Sequence, residues 1–247
     1  MLKIRLPYFL LAAFFLLFPL ALGAEPFRSP DPDTSLAHFP AKCLDDLPNL
    51  LAPENIPVLG VGAVLTAGDW VFFDPQNAIA QDLRDWDTPG LFDFGNFYGE
   101  GWVEGGTAVG GWGLGALTDD PRLQEFGRDA GESLLMATVV VTVLKYPVGR
   151  ERPDGSNAFS FPSGHSITAF CFAPVVAQYG GWELGVPAYA LATVTALARV
   201  EGYHHYLSDV IGGATLGILI GQAVVHRPKD LQLGLAPGAF QVTWRFD

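Results

Sequence analysis

Three short stretches of this 247-residue chain set polar residues into apolar surroundings, and their types point to one chemistry. The first is Lys145-Tyr-Pro-Val-Gly-Arg150-Glu-Arg152-Pro153, the second Phe161-Pro162-Ser163-Gly164-His165. The third runs from Arg199 through His204 and His205 to Asp209. Lys145, Arg152 and Arg199 are permanent cations in a chain whose formal net charge is −12. Cations converging in an apolar frame imply a multivalent anion, most simply phosphate, whose oxygens suit the planar fork of arginine. Pro162-Ser163-Gly164-His165 opens a helix, so free backbone N–H groups can cradle an anion there, with Gly164 permitting close approach and the Ser163 hydroxyl donating. His205 and Asp209 are four residues apart, on one face of a helix start. A carboxylate so placed keeps one imidazole nitrogen protonated and leaves the other free to attack. His165 is then available as general acid for the leaving oxygen. Taken singly, a cation at a helix end is usually a solvated cap, a histidine beside an aspartate usually structural, and a Pro-Ser-Gly turn commonplace. Their coincidence carries the argument.

The elements that must bring these residues together read as helices. Apolar stretches lie at 56–68, 105–117, 133–144, 166–179, 184–198 and 210–225, with Tyr179-Gly180-Gly181-Trp182 as a turn. Helices running alternately up and down with short connections put Lys145, His165, Arg199, His205 and Asp209 at the same end. The predicted fold class is all-α, a bundle of about six helices with the site at one end. Prolines at 26, 30, 32, 40, 48, 53 and 57 make 25–57 an arm or linker with at most a short helix. The helical domain is expected over 58–229. In the 230–247 tail, 231–235 and 240–246 flank Ala236-Pro237-Gly238-Ala239 and read as a short β-hairpin.

Composition narrows the classes. Hydrophobic residues make up 49% and charged residues 16%, which excludes disorder or coiled coil for most of the chain. Fourteen basic against 26 acidic residues argue against a nucleic-acid partner. Two cysteines, Cys43 and Cys171, exclude a disulfide framework or a Cys-rich zinc site and are expected to stay free thiols. No metal or other cofactor is expected, because no His/Asp/Glu cluster outside the three motifs has ligand spacing. Residues 1–24 have a basic start at Lys3 and Arg5, an apolar run and small residues at the exit, which reads as a cleaved signal peptide and an exported protein.

Together, Lys145-x6-Arg152-Pro153, Pro162-Ser163-Gly164-His165 and Arg199-x5-His205-x3-Asp209 resemble the tripartite signature of the type 2 phosphatidic acid phosphatase (PAP2) superfamily. That superfamily also includes bacterial class A acid phosphatases and vanadium haloperoxidases. The resemblance covers roughly 133–225. It implies a helical bundle and a metal-independent phosphohydrolase with a phosphohistidine intermediate. Carried over residue by residue, His205 is the nucleophile, Asp209 orients it and His165 is the general acid. Lys145, Arg152, Ser163, Gly164 and Arg199 bind the phosphoryl group, and phosphate or vanadate should inhibit. The family often has Ser before the third-motif arginine where this chain has Ala198, which removes a hydroxyl but no charge. His204 and Arg150 lie outside the pattern, the first as a neighbour and the second as a residue shaping only the rim.

The expected substrate is a lipid phosphate or diphosphate; the alternatives are a soluble periplasmic non-specific acid phosphatase and, remotely, a vanadium-dependent haloperoxidase. A silent anion binder would need a broken nucleophile or acid, yet His165 and His205 are both present. The apolar runs at 133–144, 184–198 and 210–225 fall below the ~20 residues of a full span. Charges at the functional end shorten such runs, however, and His226, Arg227 and Lys229 at the opposite end suit a cytoplasmic face. The balance favours membrane association with the site facing the periplasm.

Overall fold

A computed structural model describes residues 39–72, 74, 78–86, 88, 90–225, 231–236 and 239–244. The expected signal peptide and residues 25–38 of the arm lie outside them. The helices are α1 (Phe39–Asp45), α2 (Ile56–Phe72), α3 (Ala78–Arg84), α4 (Leu91–Tyr98), α5 (Trp102–Thr118), α6 (Pro121–Val148), α7 (Gly164–Glu201) and α8 (Leu207–Val225). Strands β1 (Leu231–Ala236) and β2 (Ala239–Trp244) pair antiparallel, with Leu231 opposite Trp244 and Ala236 opposite Ala239. Among the described residues the fold is all-α apart from this hairpin. Beyond the six predicted helical segments, the described residues add the short α1, α3 and α4.

Helix α6 is longer than its apolar run for an identifiable reason. It begins at Asp120, whose Oδ1 accepts from the N–H groups of Arg122 and Leu123, with Pro121 in the first turn. Its first half is rich in charges that the apolar pattern does not register. Arg128 is buried there, 3.2 Å from Asp129 and 3.7 Å from Glu125. The helix ends at Gly149, in the left-handed conformation at φ 56°.

Helix α7 is two arms rather than one rod. Gly181 interrupts it with φ 66° and ψ −173°, a conformation open chiefly to glycine. On a straight helix, His165 and Arg199 would stand about 51 Å apart. Instead the chain doubles back: the rings of Phe170 and Tyr189 are 6.3 Å apart, and the Arg199 charge acts directly on His165. This is the turn predicted at 179–182.

Helix α8 runs through the centre and is buried over nearly its whole length. Gly217 and Gly221 let it lie directly on the first arm of α7; a Cβ at Gly221 would stand 2.4 Å from the Cys171 carbonyl oxygen. This contact ties the helix bearing His165 to the helix bearing Asp209. Residues 39–55 dock on the far end of α8 rather than extending away. Asn49 donates to the Ala223 carbonyl at 3.3 Å, and Asn55 donates to the Asn49 carbonyl at 2.7 Å. Cys43 and Cys171 are both buried free thiols.

Three segments, Pro53–Phe72, Pro121–Val148 and Leu207–Val225, are long and apolar enough to cross a membrane. The outward faces of α2, α5 and α6 expose Val64, Val71, Val109, Leu117, Val139 and Val143. Such contiguous apolar surface suits lipid rather than water.

The packing predicts opposite signs for two Gly→Ala changes. Gly221→Ala drives a methyl into backbone and should cost about 1–3 kcal/mol, outweighing the gain in helix propensity. At Gly105 an added Cβ meets nothing within 4 Å, so Gly105→Ala should stabilise by up to about 1 kcal/mol. Thermal unfolding of the two purified variants in detergent checks both signs.

Candidate active site

The site forms where α6 ends, α7 begins and ends, and α8 begins. Lys145 occupies the last turn of α6, His165 is the second residue of α7, Arg199 lies in its last turn and Asp209 in the first turn of α8. Gly164 packs beside Lys145, whose Nζ stands 4.0 Å from where a Cβ would be. His165 feels the charges of Arg199, His205, Lys145 and Arg152 together. The predicted residues thus converge on one end of the bundle. Arg152 and Arg199 each hold a buried Nε with no hydrogen-bond partner among the described residues. Arg199 Nη1 donates to Asn96 Oδ1 at 2.7 Å, which ties α4 to the site.

Ser163 caps α7. Its Oγ accepts from the Ser166 hydroxyl at 3.1 Å and the Ser166 N–H at 3.4 Å. Its own N–H donates to the Asp209 carbonyl at 3.0 Å and is therefore spent. The N–H groups of Gly164 and His165 remain without intrahelical partners, as the first helical donors must, so the anion cradle offered by this turn begins at Gly164.

His205 and His204 are adjacent but face different surroundings. His205 is almost fully buried, its Nδ1 3.6 Å from Asp209 Oδ2. His204 is 40% exposed and pairs with Asp154 at 3.0 Å. Burial holds the His205 pKa down to about 4; Asp209 pulls it up, while Arg152 and Arg199 push it down further. Burial, Arg199 and the neighbouring cations hold His165 down to about 3. Both imidazoles are therefore neutral in the free protein at neutral pH.

Arg150 corrects the sequence expectation. It does not merely shape the rim. Its Nη1 donates to Asp209 Oδ1 and Ser208 Oγ, each at 2.6 Å, and its Nη2 donates to Asp74 Oδ2 at 2.5 Å. The guanidinium lies between the rings of Trp70 and Tyr206, 3.8 and 4.1 Å from their centroids. Asp209 Oδ2 accepts from Ser160 Oγ at 2.5 Å and from the Tyr206 N–H at 2.9 Å. Ser208 Oγ also donates to Asp74. Arg150 misses the motif because its spacing is wrong for the cradle; its work is to hold the carboxylate. Asp74, Trp70, Ser160, Ser208 and Asn96 carried no sequence signal, since each acts through a partner remote in the chain or through backbone geometry.

The two kinds of arginine should respond oppositely to neutralisation. Arg150→Met leaves Asp74 and Asp209 buried without their cation, at a cost of about 3–5 kcal/mol. Arg152→Met removes one of several mutually repelling, partly buried cations and should leave stability unchanged or raised. Unfolding midpoints of the two variants, measured without phosphate, test this contrast.

Comparison with known proteins matches the same region. Residues 126–233 match the family model described as the PAP2 superfamily. The chain is 42% identical over 87 residues to the lipid A 1-phosphatase of Porphyromonas gingivalis, which covers 34% of this chain and 19% of that protein. It is 34% identical over 116 residues to phosphatidylglycerophosphatase B of Bacillus subtilis, covering 38% of this chain and 57% of the relative. The chain thus spans less than two thirds of either curated relative. Its fold resembles the crystal structure of a transmembrane PAP2 type phosphatidylglycerolphosphate phosphatase from Bacillus subtilis. The TM-score is 0.56 at 21% identity, over 69% of this chain and 93% of that one. Residues 126–233, which carry the three motif segments, thus match the PAP2 superfamily model, and the bundle at whose one end those segments converge resembles a PAP2 type phosphatase in fold.

Proposed function

We propose that this chain is a membrane-bound, metal-independent phosphohydrolase that releases phosphate from a lipid phosphate or diphosphate. The observation that carries this reading is the set of cations, half-buried Lys145 and Arg152 and buried Arg199, with Arg152 and Arg199 Nε groups unpartnered among the described residues, gathered around two neutral histidines. Lys145, Arg152 and Arg199 take the non-bridging oxygens, helped by the Gly164 and His165 N–H groups and the Ser163 hydroxyl. The free nitrogen of His205 attacks phosphorus while Asp209 holds the Nδ1 proton. The bond to the leaving oxygen breaks, and that oxygen takes a proton from His165. Water then attacks the phosphohistidine, giving its proton to His165 and releasing phosphate. The lipid substrates in the names of both curated relatives support the lipid class, as do the three apolar helices. The periplasmic orientation rests on the expected export signal.

A neutral His165 in the free enzyme has a consequence. The proton for the leaving group must arrive with the substrate, as the phosphate monoanion, or be drawn in once the bound anion offsets the cations. For a phosphomonoester, kcat/KM should then be flat from about pH 4, where His205 becomes neutral, up to the substrate's second pKa near 6, and fall above it. An acid limb at 6.5 would contradict the burial of His205.

The direct test is phosphate release from phosphatidic acid by the purified protein in detergent. Activity should survive EDTA, because the cations replace a metal ion. Arg152→Lys and Arg199→Lys should each lower kcat/KM on the order of 10²-fold, the scale of losing one transition-state donor. Loss of activity in EDTA with recovery on adding magnesium would overturn the mechanism.

A further inference from the structure

A lateral groove of about 500 Å³ lies between α2, the end of α6 and α8. Its walls are almost wholly apolar and include Ala63 and Ala67 of α2, Leu144 of α6, Leu216 of α8, Trp70 and Phe161. Three of these residues are tied to segments that build the site. Leu144 precedes Lys145, Phe161 precedes Pro162-Ser163-Gly164, and Trp70 stacks on the Arg150 that holds Asp209. The Trp70 and Phe161 ring centroids are 5.2 Å apart, so the inner wall is aromatic. Gly212 admits the Phe161 ring against α8; a Cβ there would lie 2.6 Å from it. The outer wall, at Ala63 and Ala67, is exposed on the apolar flank of α2.

We infer that this groove seats an acyl chain of the substrate lipid, which enters from the bilayer with its phosphate reaching the cations. The inference rests on the proposed phosphatase reading and adds which face of the bundle the chain occupies. A groove whose walls are almost wholly apolar gives little specificity for a polar group. It favours a flexible hydrocarbon by excluding water around it. Its place beside the segments that carry the site, with Leu144 and Phe161 in its wall and Trp70 on the Arg150 clamp, distinguishes it from the rest of the lipid-facing surface. Small residues at 63 and 67 keep it open, whereas Val64, on the same helix and also exposed, does not line it.

The test uses the full chain in bilayer nanodiscs. Turnover of a long-chain phosphatidic acid is compared with that of water-soluble p-nitrophenyl phosphate. Ala67→Trp should lower lipid turnover about tenfold or more, the scale on which hydrophobic pockets discriminate, and leave the soluble substrate within about twofold. Val64→Trp should change neither. Equal effects of Ala67→Trp on both substrates, or none on either, would overturn the inference. Binding is read separately with dodecylphosphonate brominated along its chain. Trp70 fluorescence, isolated by difference from Trp70→Phe, should be quenched, and excess inorganic phosphate should relieve the quenching. Phosphatidylcholine with brominated chains at the same mole fraction should give no phosphate-sensitive component. Absence of phosphate-sensitive quenching would refute the groove, whatever fills it instead. Quenching without turnover of either substrate by the wild type would keep the groove and refute the phosphatase reading.

Discussion

Asp209 is buried at the head of the central helix, and one guanidinium, that of Arg150, neutralises it directly. The rest of the site depends on that contact. A buried carboxylate without a cation would take up a proton and could no longer hold an imidazole nitrogen in its protonated form. Arg150 reaches it because Trp70 and Tyr206 cover both faces of the guanidinium and Asp74 anchors its other end. The end of α2, outside the three motifs, is therefore part of the apparatus that holds Asp209 beside His205.

Beside this neutralised core stand cations of the opposite character. Arg152, Arg199 and Lys145 repel one another in a poorly solvated cleft, and the two arginines keep unpartnered buried Nε groups. That arrangement stores unfavourable electrostatics, which the dianion of the proposed substrate would relieve. The same field makes protonated His165 unfavourable, so in the proposed reaction proton supply and phosphate binding are coupled. Bulk stability comes instead from α8, whose glycines let it pack against the first arm of α7. His165 on α7 and His205 in the short loop between α7 and α8 are thus both anchored on this packed pair of helices.

Much of the site was legible in the sequence because its residues sit where local rules apply. Ser163 caps a helix, His205 and Asp209 are one turn apart, and Gly181 marks a reversal. These are short-range signals. The clamp on Asp209 was not legible: Arg150 and Asp74 are 76 residues apart, and Arg199 and Asn96 are 103 apart. Only tertiary folding pairs them, and a motif read by spacing discards a residue whose partner is distant. The start of α6 was missed for a different reason. Its first turns bury charges paired within the helix, so the apolar run begins at 133 while the helix begins at Pro121. The docking of 39–55 was hidden by prolines, which shorten helices but do not forbid packing.

The central claim is that His205, and not the adjacent His204, becomes covalently phosphorylated. Rapid mixing with ³²P-labelled phosphatidic acid, an alkaline quench that preserves phosphohistidine, and peptide mapping test it most directly. The account predicts an acid-labile phosphate on His205 that forms and decays at rates competent for turnover. Labelled phosphate on His204, or rapid turnover with no trapped phosphoenzyme at any time, would contradict it.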